Sequence, residues 1–197
     1  MLSSIVIAGV GGQGTLLASR ILAEAAQAKG LFVRTSETIG MAQRGGSVSS
    51  HLRIDAREVS PIIPARRGDV LLAFEPAEAV RMIPKLKSTA KAVVNTDEII
   101  PTNVALGKGA YLGAEYIETM KRFCPGAIFL KGAELALEAG DIRTLNVVIL
   151  GAACGAGTLP FTTAEVREAI ARCVKSKLLP MNEKAFALGI DASSRRW

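Results

Sequence analysis

Apolar positions open the chain in a short run. Leu2 to Ala8 reads as a buried strand, and it ends in the series Gly9-x-Gly11-x-x-Gly14. A helical period starts at once. From Gln13 to Lys29, the residues Leu17, Ile21, Leu22 and Ala25 share one face, and Gly30 ends the pattern. Leu31 to Ser36 predicts a second strand, which would complete a right-handed βαβ unit with strands one and two side by side. Ser36 to Ser47 is polar, glycine-bearing and without period, so it predicts a loop or a short helix with loops. Val48 to Ile54 alternates, with Val48, Ser50, Leu52 and Ile54 on one face and Ser49, His51 and Arg53 on the other.

Asp69 to Phe74 is again a continuous apolar strand, and Pro76 sits where a helix opens, running to about Leu86. Strands over Ala92–Asn95 and Ala127–Leu130 enclose a helix over Ala114–Phe123 that Pro125 stops. A further helix covers Ala133–Ala139. The last third predicts helices. Leu145 to Ala156 is apolar on every side, as in a central packed helix. Thr162-x-x-Glu165 is a capping box, with Phe161 and Val166 as its staple. Val166, Ala169, Ile170, Cys173 and Val174 then form one apolar stripe. Met181–Leu188 predicts a last short helix ended by Gly189, and residues 190–197 read as a flexible tail. The pattern gives an α/β fold: a Rossmann-like, mostly parallel sheet flanked by helices, in one domain over residues 1–189.

Composition narrows the picture. At 197 residues the chain is long enough for one well-buried core. Aromatics are only 5%, so Ala, Val, Ile and Leu must build that core, which suits buried parallel strands under helices. The net charge of +6 comes from basic residues scattered along the chain. No clustered run supports nucleic-acid binding, whereas an acidic ligand or protein partner fits. Cys124, Cys154 and Cys173 are far apart and form no C-x-x-C pair, which argues against an iron–sulfur cluster or structural zinc and fits a reducing cytoplasm. The longest apolar stretch, Val147–Leu159, is too short and glycine-rich to span a membrane.

Two segments carry candidate chemistry. In the first, Gly9 allows a tight turn, Gly11 lets a phosphate approach the backbone, and Gly14 lets helix and strand pack closely. Free N–H groups and the helix dipole favour an anion there, and Thr15 can add a hydroxyl. A dinucleotide reading wants an acid at the end of the second strand. That strand carries Arg34, and Glu37 lies just past the expected place, so a stand-alone NAD(P) reductase fits poorly. In the second segment, Ser36 to Ser47, Gly45 and Gly46 leave backbone amides open. Gln43, Arg44 and Ser47 offer directed donors, and Arg44 can form a bidentate fork. His51, the only histidine, has no metal partner in sequence. No Ser/His/Asp set, P-loop lysine or close carboxylate pair can be assembled. Binding groups without catalytic groups point to a subunit whose chemistry lies elsewhere.

The stretches Ile7-Ala-Gly-Val-Gly-Gly-Gln-Gly-Thr-Leu-Leu-Ala-Ser19 and Ser36-Glu-Thr-Ile-Gly-Met-Ala-Gln-Arg-Gly-Gly-Ser-Val48 resemble the gamma-type domain of 2-oxoacid:ferredoxin oxidoreductases. Asp69-Val-Leu-Leu-Ala-Phe-Glu-Pro76, Asn146-Val-Val-Ile-Leu-Gly151 and Asn182-Glu-Lys-Ala-Phe-Ala-Leu-Gly189 are similar to the beta-type subunits of the indolepyruvate branch. Together these cover roughly residues 4–189. The resemblance implies a non-cofactor-bearing subunit, inactive alone. A larger alpha subunit would carry thiamine diphosphate and iron–sulfur clusters. The complex would decarboxylate an aryl pyruvate oxidatively, use CoA as co-substrate and reduce ferredoxin. It implies cofactor-region residues in two groups: Gly9, Gly11, Gly12, Gln13, Gly14 and Thr15, then Met41, Gln43, Arg44, Gly45, Gly46 and Ser47. It assigns this chain no catalytic residue and no metal ligand. A related pyruvate or branched-chain 2-oxoacid enzyme is the alternative within the same family.

Overall fold

The computed structural model describes residues 3–40 and 45–194. In chain order its elements are β1 (Ser3–Val10), α1 (Thr15–Ala28), β2 (Phe32–Ile39), β3 (Ser47–Asp55), β4 (Gly68–Ala73), α2 (Pro76–Met82), β5 (Leu86–Asn95), α3 (Thr102–Ala105), α4 (Gly113–Phe123), β6 (Ile128–Leu130), α5 (Gly132–Ala139), α6 (Leu145–Gly155), α7 (Thr163–Cys173) and α8 (Leu179–Ser194). The strands form one mixed sheet in the order β2–β3–β1–β4–β5–β6. β1, β4, β5 and β6 pair in parallel, while β3 is antiparallel to both of its neighbours.

The centre of the sheet is buried on both faces, while edge strand β2 is largely exposed. Ile5 and Ile7 of β1 face α1 and α5 to α8, while Val6 and Ala8 face α2 and α4. All four are fully buried, so the strand reads as a continuous apolar run rather than an alternation. α6 has no polar side because the sheet, α5, α7 and α8 surround it. The capping box forms as the sequence predicts. The Thr162 N–H donates to Glu165 Oε2 at 2.8 Å, and the Glu165 N–H donates to Thr162 Oγ1 at 3.3 Å. Phe161 and Val166 are both buried beside it.

Strands one and two are not side by side. β3 lies between them, with Leu52 opposite Ile5 on one edge and Thr35 on the other. The connection after β2 is too short for a crossover helix, so the chain turns back as a hairpin and inserts the reversed strand. β2 still runs in the direction of β1. Its exit therefore reaches the same carboxyl edge as the glycine turn.

Other elements depart from the sequence pattern at their ends. β2 continues to Ile39, three residues past Ser36. α2 stops at Met82 and passes into a single 3-10 turn over Ile83–Lys85. Pro84 has no N–H to continue the helix. β5 begins at Leu86, before the strand predicted from Ala92. The short α3 carries no apolar period that could have announced it.

The last helix is a correction with a clear cause. Gly189 does not end it; α8 runs to Ser194, so the expected tail is helical over its first residues. Gly189 faces α6 instead. A Cβ there would overlap the Val148 carbonyl and stand 2.9 Å from the Ala152 nitrogen. Gly151 and Gly155 of α6 meet α8 in the same way, against the Phe186 and Ile190 carbonyls. Three missing side chains thus bring two helix backbones into contact.

This contact reverses an ordinary helix rule. At an exposed mid-helix site, glycine to alanine stabilises by about 1 kcal/mol. Gly189→Ala is instead expected to destabilise by about 1–3 kcal/mol, the usual range for overpacking. Urea unfolding checks this: the midpoint should fall with the slope unchanged.

Candidate functional site

The carboxyl ends of five strands deliver their loops to one edge of the sheet. There the two sequence motifs meet. The Gly11 N–H donates to the Gly46 carbonyl at 2.8 Å, and the Gly45 N–H donates back to the Gly11 carbonyl at 3.4 Å. Gly45 adopts a φ of 76°, in the left-handed region that glycine tolerates. Gly9, Gly11, Gly12, Gln13, Gly14, Thr15, Gly45, Gly46 and Ser47 are therefore brought together. Met41, Gln43 and Arg44 lie outside the described residues.

Gln13 is the keystone of the glycine turn. Its Oε1 accepts the Val10 N–H at 2.7 Å, and its Nε2 donates to the Phe74 carbonyl at 2.8 Å. The two bonds fix the amide orientation, since a flipped amide would face donor to donor and acceptor to acceptor. Gly9 makes room for this side chain. A Cβ there would stand 2.8 Å from both Gln13 Oε1 and Phe74 Cβ. Gly14 caps α1 with a φ of 81°, and no side chain caps the first turn. Asn146 fills the space beside Gly14, and its Nδ2 donates to the Gly14 carbonyl at 3.4 Å.

The β4 exit ties this turn to its neighbours. The Phe74 carbonyl also accepts from Asn95 Nδ2 at 2.9 Å, and Asn95 Oδ1 accepts the Gly132 N–H at 2.8 Å. One carbonyl thus links the exits of β1, β4 and β5 to the start of α5. Two carboxylates follow on α2. Glu75 is 1% exposed; it accepts the Glu78 N–H at 3.0 Å and the Tyr111 hydroxyl. Glu78 is 5% exposed; its Oε2 accepts from Ser47 Oγ at 2.5 Å, and Arg81 pairs with its other oxygen at 3.2 Å. Sequence reading missed Phe74, Glu75, Glu78, Asn95, Tyr111 and Asn146 as site-building residues. The only available signal was an acid directly before Pro76, a common capping position.

Burial pushes the Glu75 carboxyl above its ordinary range, against the hydrogen bonds that favour its charged form. Burial, helped by the hydrogen bond to Glu75, likewise raises Tyr111. His51 is nine-tenths buried, and its Nδ1 accepts the Ile63 N–H at 3.2 Å. Burial and then the Lys85 charge lower its pKa, so it is a neutral structural acceptor. The thiols are not activated: burial raises Cys124 and Cys173 and pushes Cys154 up to about 12. Among the described residues no group of three His, Cys, Asp or Glu is placed to hold a metal ion. No described helix is long and apolar enough to cross a membrane.

The geometry also departs from a dinucleotide site. Such a site takes its ribose acid from the parallel strand next to the glycine turn. Here antiparallel β3 fills that place, and β2 carries exposed Arg34, paired with Glu58.

Comparison with known proteins adds the following. The family model described as pyruvate ferredoxin/flavodoxin oxidoreductase matches residues 4–192. The chain is 43% identical over 190 residues to the indolepyruvate oxidoreductase subunit IorB of Archaeoglobus fulgidus, covering 95% of this chain and 94% of that one. It is 38% identical over 192 residues to the subunit of the same name in Pyrococcus horikoshii, covering 96% and 95%. In fold it resembles the 2-oxoglutarate:ferredoxin oxidoreductase of Magnetococcus marinus, with a TM-score of 0.72 at 20% identity. That match takes in 98% of this chain and 31% of the larger one.

Two substitutions test the edge. Gln13→Glu places a carboxylate oxygen against the Phe74 carbonyl. It should cost about 1–3 kcal/mol at pH 7 and less at pH 4, where the acid can donate. Glu75 carries a raised pKa in the fold, so its contribution is fully present below the ordinary value of 4.5 and is lost as pH rises through the folded value. Glu75→Gln stays neutral throughout. Denaturant titrations from pH 4 to pH 8 should show the wild type losing stability relative to this variant as pH rises.

Proposed function

The chain belongs to the pyruvate ferredoxin/flavodoxin oxidoreductase family, and on that premise we propose that it is the small subunit of an indolepyruvate:ferredoxin oxidoreductase. The observation that carries this reading is the pairing of the glycine turn with the Gly45–Ser47 loop at one edge of the sheet. The Gly11 and Gly45 N–H groups are taken up in joining the two loops, so that edge offers an anionic group the first turn of α1, which no side chain caps. Among the described residues it assembles no nucleophile with a general base. The substrate is that named for relatives that align along nearly their whole length.

In this reading a larger alpha subunit supplies thiamine diphosphate and the iron–sulfur clusters. This chain completes the region where CoA meets the partner's site. Gly9, Gly11, Gly12, Gln13, Gly14 and Thr15 form one side of that region. Met41, Gln43, Arg44, Gly45, Gly46 and Ser47 form the other. The complex oxidises and decarboxylates the aryl pyruvate, transfers the acyl group to CoA, and passes two electrons to ferredoxin. The M. marinus chain, of which this fold matches about a third, supports a unit that works within a larger assembly. Residues 1–189 act as one domain.

Co-expression with the large subunit is expected to yield a brown complex that reduces a viologen dye with indolepyruvate and CoA. Each chain alone should be inactive. Full activity from the large subunit alone overturns the reading. Faster turnover of pyruvate or a branched-chain 2-oxoacid keeps the subunit role and overturns the substrate. Arg44→Ala should fold normally, by circular dichroism, yet weaken assembly or raise the KM for CoA.

A further inference from the structure

Two buried carboxylates stand one turn apart at the start of α2, and each grips a hydroxyl from a different loop. Glu78 takes Ser47 Oγ at 2.5 Å, at the foot of the loop that follows β2. Glu75 takes the hydroxyl of Tyr111, in the segment after β5. These loops flank the β4 exit on opposite sides. Tyr111 is held in turn by an edge-to-face contact with Tyr116 of α4, with ring centroids 5.3 Å apart. Glu75 has no cationic partner among the described residues, and Glu78 has only the exposed Arg81. Burying two acids is costly unless their bonds hold something in place.

We propose that Glu78 and Glu75 are positioning residues: a two-sided clamp on α2 that sets the two loops flanking the crevice. Glu78 acts through Ser47 on the Gly45–Gly46 loop, and Glu75 acts through Tyr111 on residues 96–112. The link to turnover rests on the function proposed above; the clamp itself does not. Removing the Ser47 bond loosens the start of β3, while the Gly11–Gly46 pair next to it remains. The loop then samples more positions, and a ligand bound there must reorder it. The effect falls on ligand affinity before it falls on chemistry.

Hydrogen–deuterium exchange on the full chain tests the clamp. Peptides covering 40–47 should exchange about three- to tenfold faster in Ser47→Ala and Glu78→Ala, the size expected for one lost hydrogen bond. Ser47→Ala with Glu78→Ala should add little to either single change, because both remove the same bond. Glu78→Gln keeps an acceptor for Ser47 and should stay near wild type. Tyr111→Phe should speed exchange in 96–112 and leave 40–47 unchanged. Unchanged exchange in Ser47→Ala, or additive effects in the double variant, overturns the clamp. In the complex with the large subunit, Glu78→Ala should raise the KM for CoA three- to tenfold by the same reasoning, with kcat nearly constant. Faster exchange with no change in KM upholds the clamp and overturns the loop's assignment to CoA.

Discussion

The Phe74 carbonyl accepts two side-chain amides at once, from Gln13 and Asn95. Its N–H donates to the Ala8 carbonyl at 2.8 Å, continuing the β1–β4 ladder one residue past the strand. A buried carbonyl has two lone pairs, and here both are satisfied by groups that also reach elsewhere. Gln13 holds the glycine turn, and Asn95 holds the start of α5. The carboxyl edge is therefore a connected network rather than a row of independent loops. Such networks are strong when complete and costly when one member is lost.

The inserted strand β3 gives this edge its particular shape. In a sheet with β1 and β2 adjacent, the two exits would stand as separate neighbours. The hairpin return instead carries the chain back beside β1, with Ser47 opposite Val10. Gly45 and Gly46 then lie within hydrogen-bond reach of Gly11. Glycine at position 45 permits the turn through its φ of 76°, since the space around it is open. The same insertion removes the place from which a dinucleotide acid would come. One topological step both joins the two motifs and departs from the strand order of a dinucleotide site.

Much of the fold was legible because its signals are local. The burial of β1 on both faces, the Thr162–Glu165 capping box and the all-round apolar α6 follow from patterns within one segment. The helix ends were less legible. Gly189 looks like a helix stop because glycine often is one, yet its role is set by Val148 on another helix. The site was legible as two motifs on one edge. Their hydrogen bonds to each other, and the Glu75 and Glu78 grips, were not.

The sequence by itself determined an α/β sheet under helices, a glycine turn at the end of the first strand, and a polar glycine loop after the second. Periodicity, capping and turn chemistry act over a few residues, so they can be read from spacing. Only the tertiary structure decided that β3 stands between β1 and β2, that Phe74 joins three strand exits, and that two acids on α2 hold loops 31 and 36 residues away in the chain. Those outcomes depend on long-range pairing. They are fixed by which buried polar groups can find partners in the folded chain, a condition that no single segment contains.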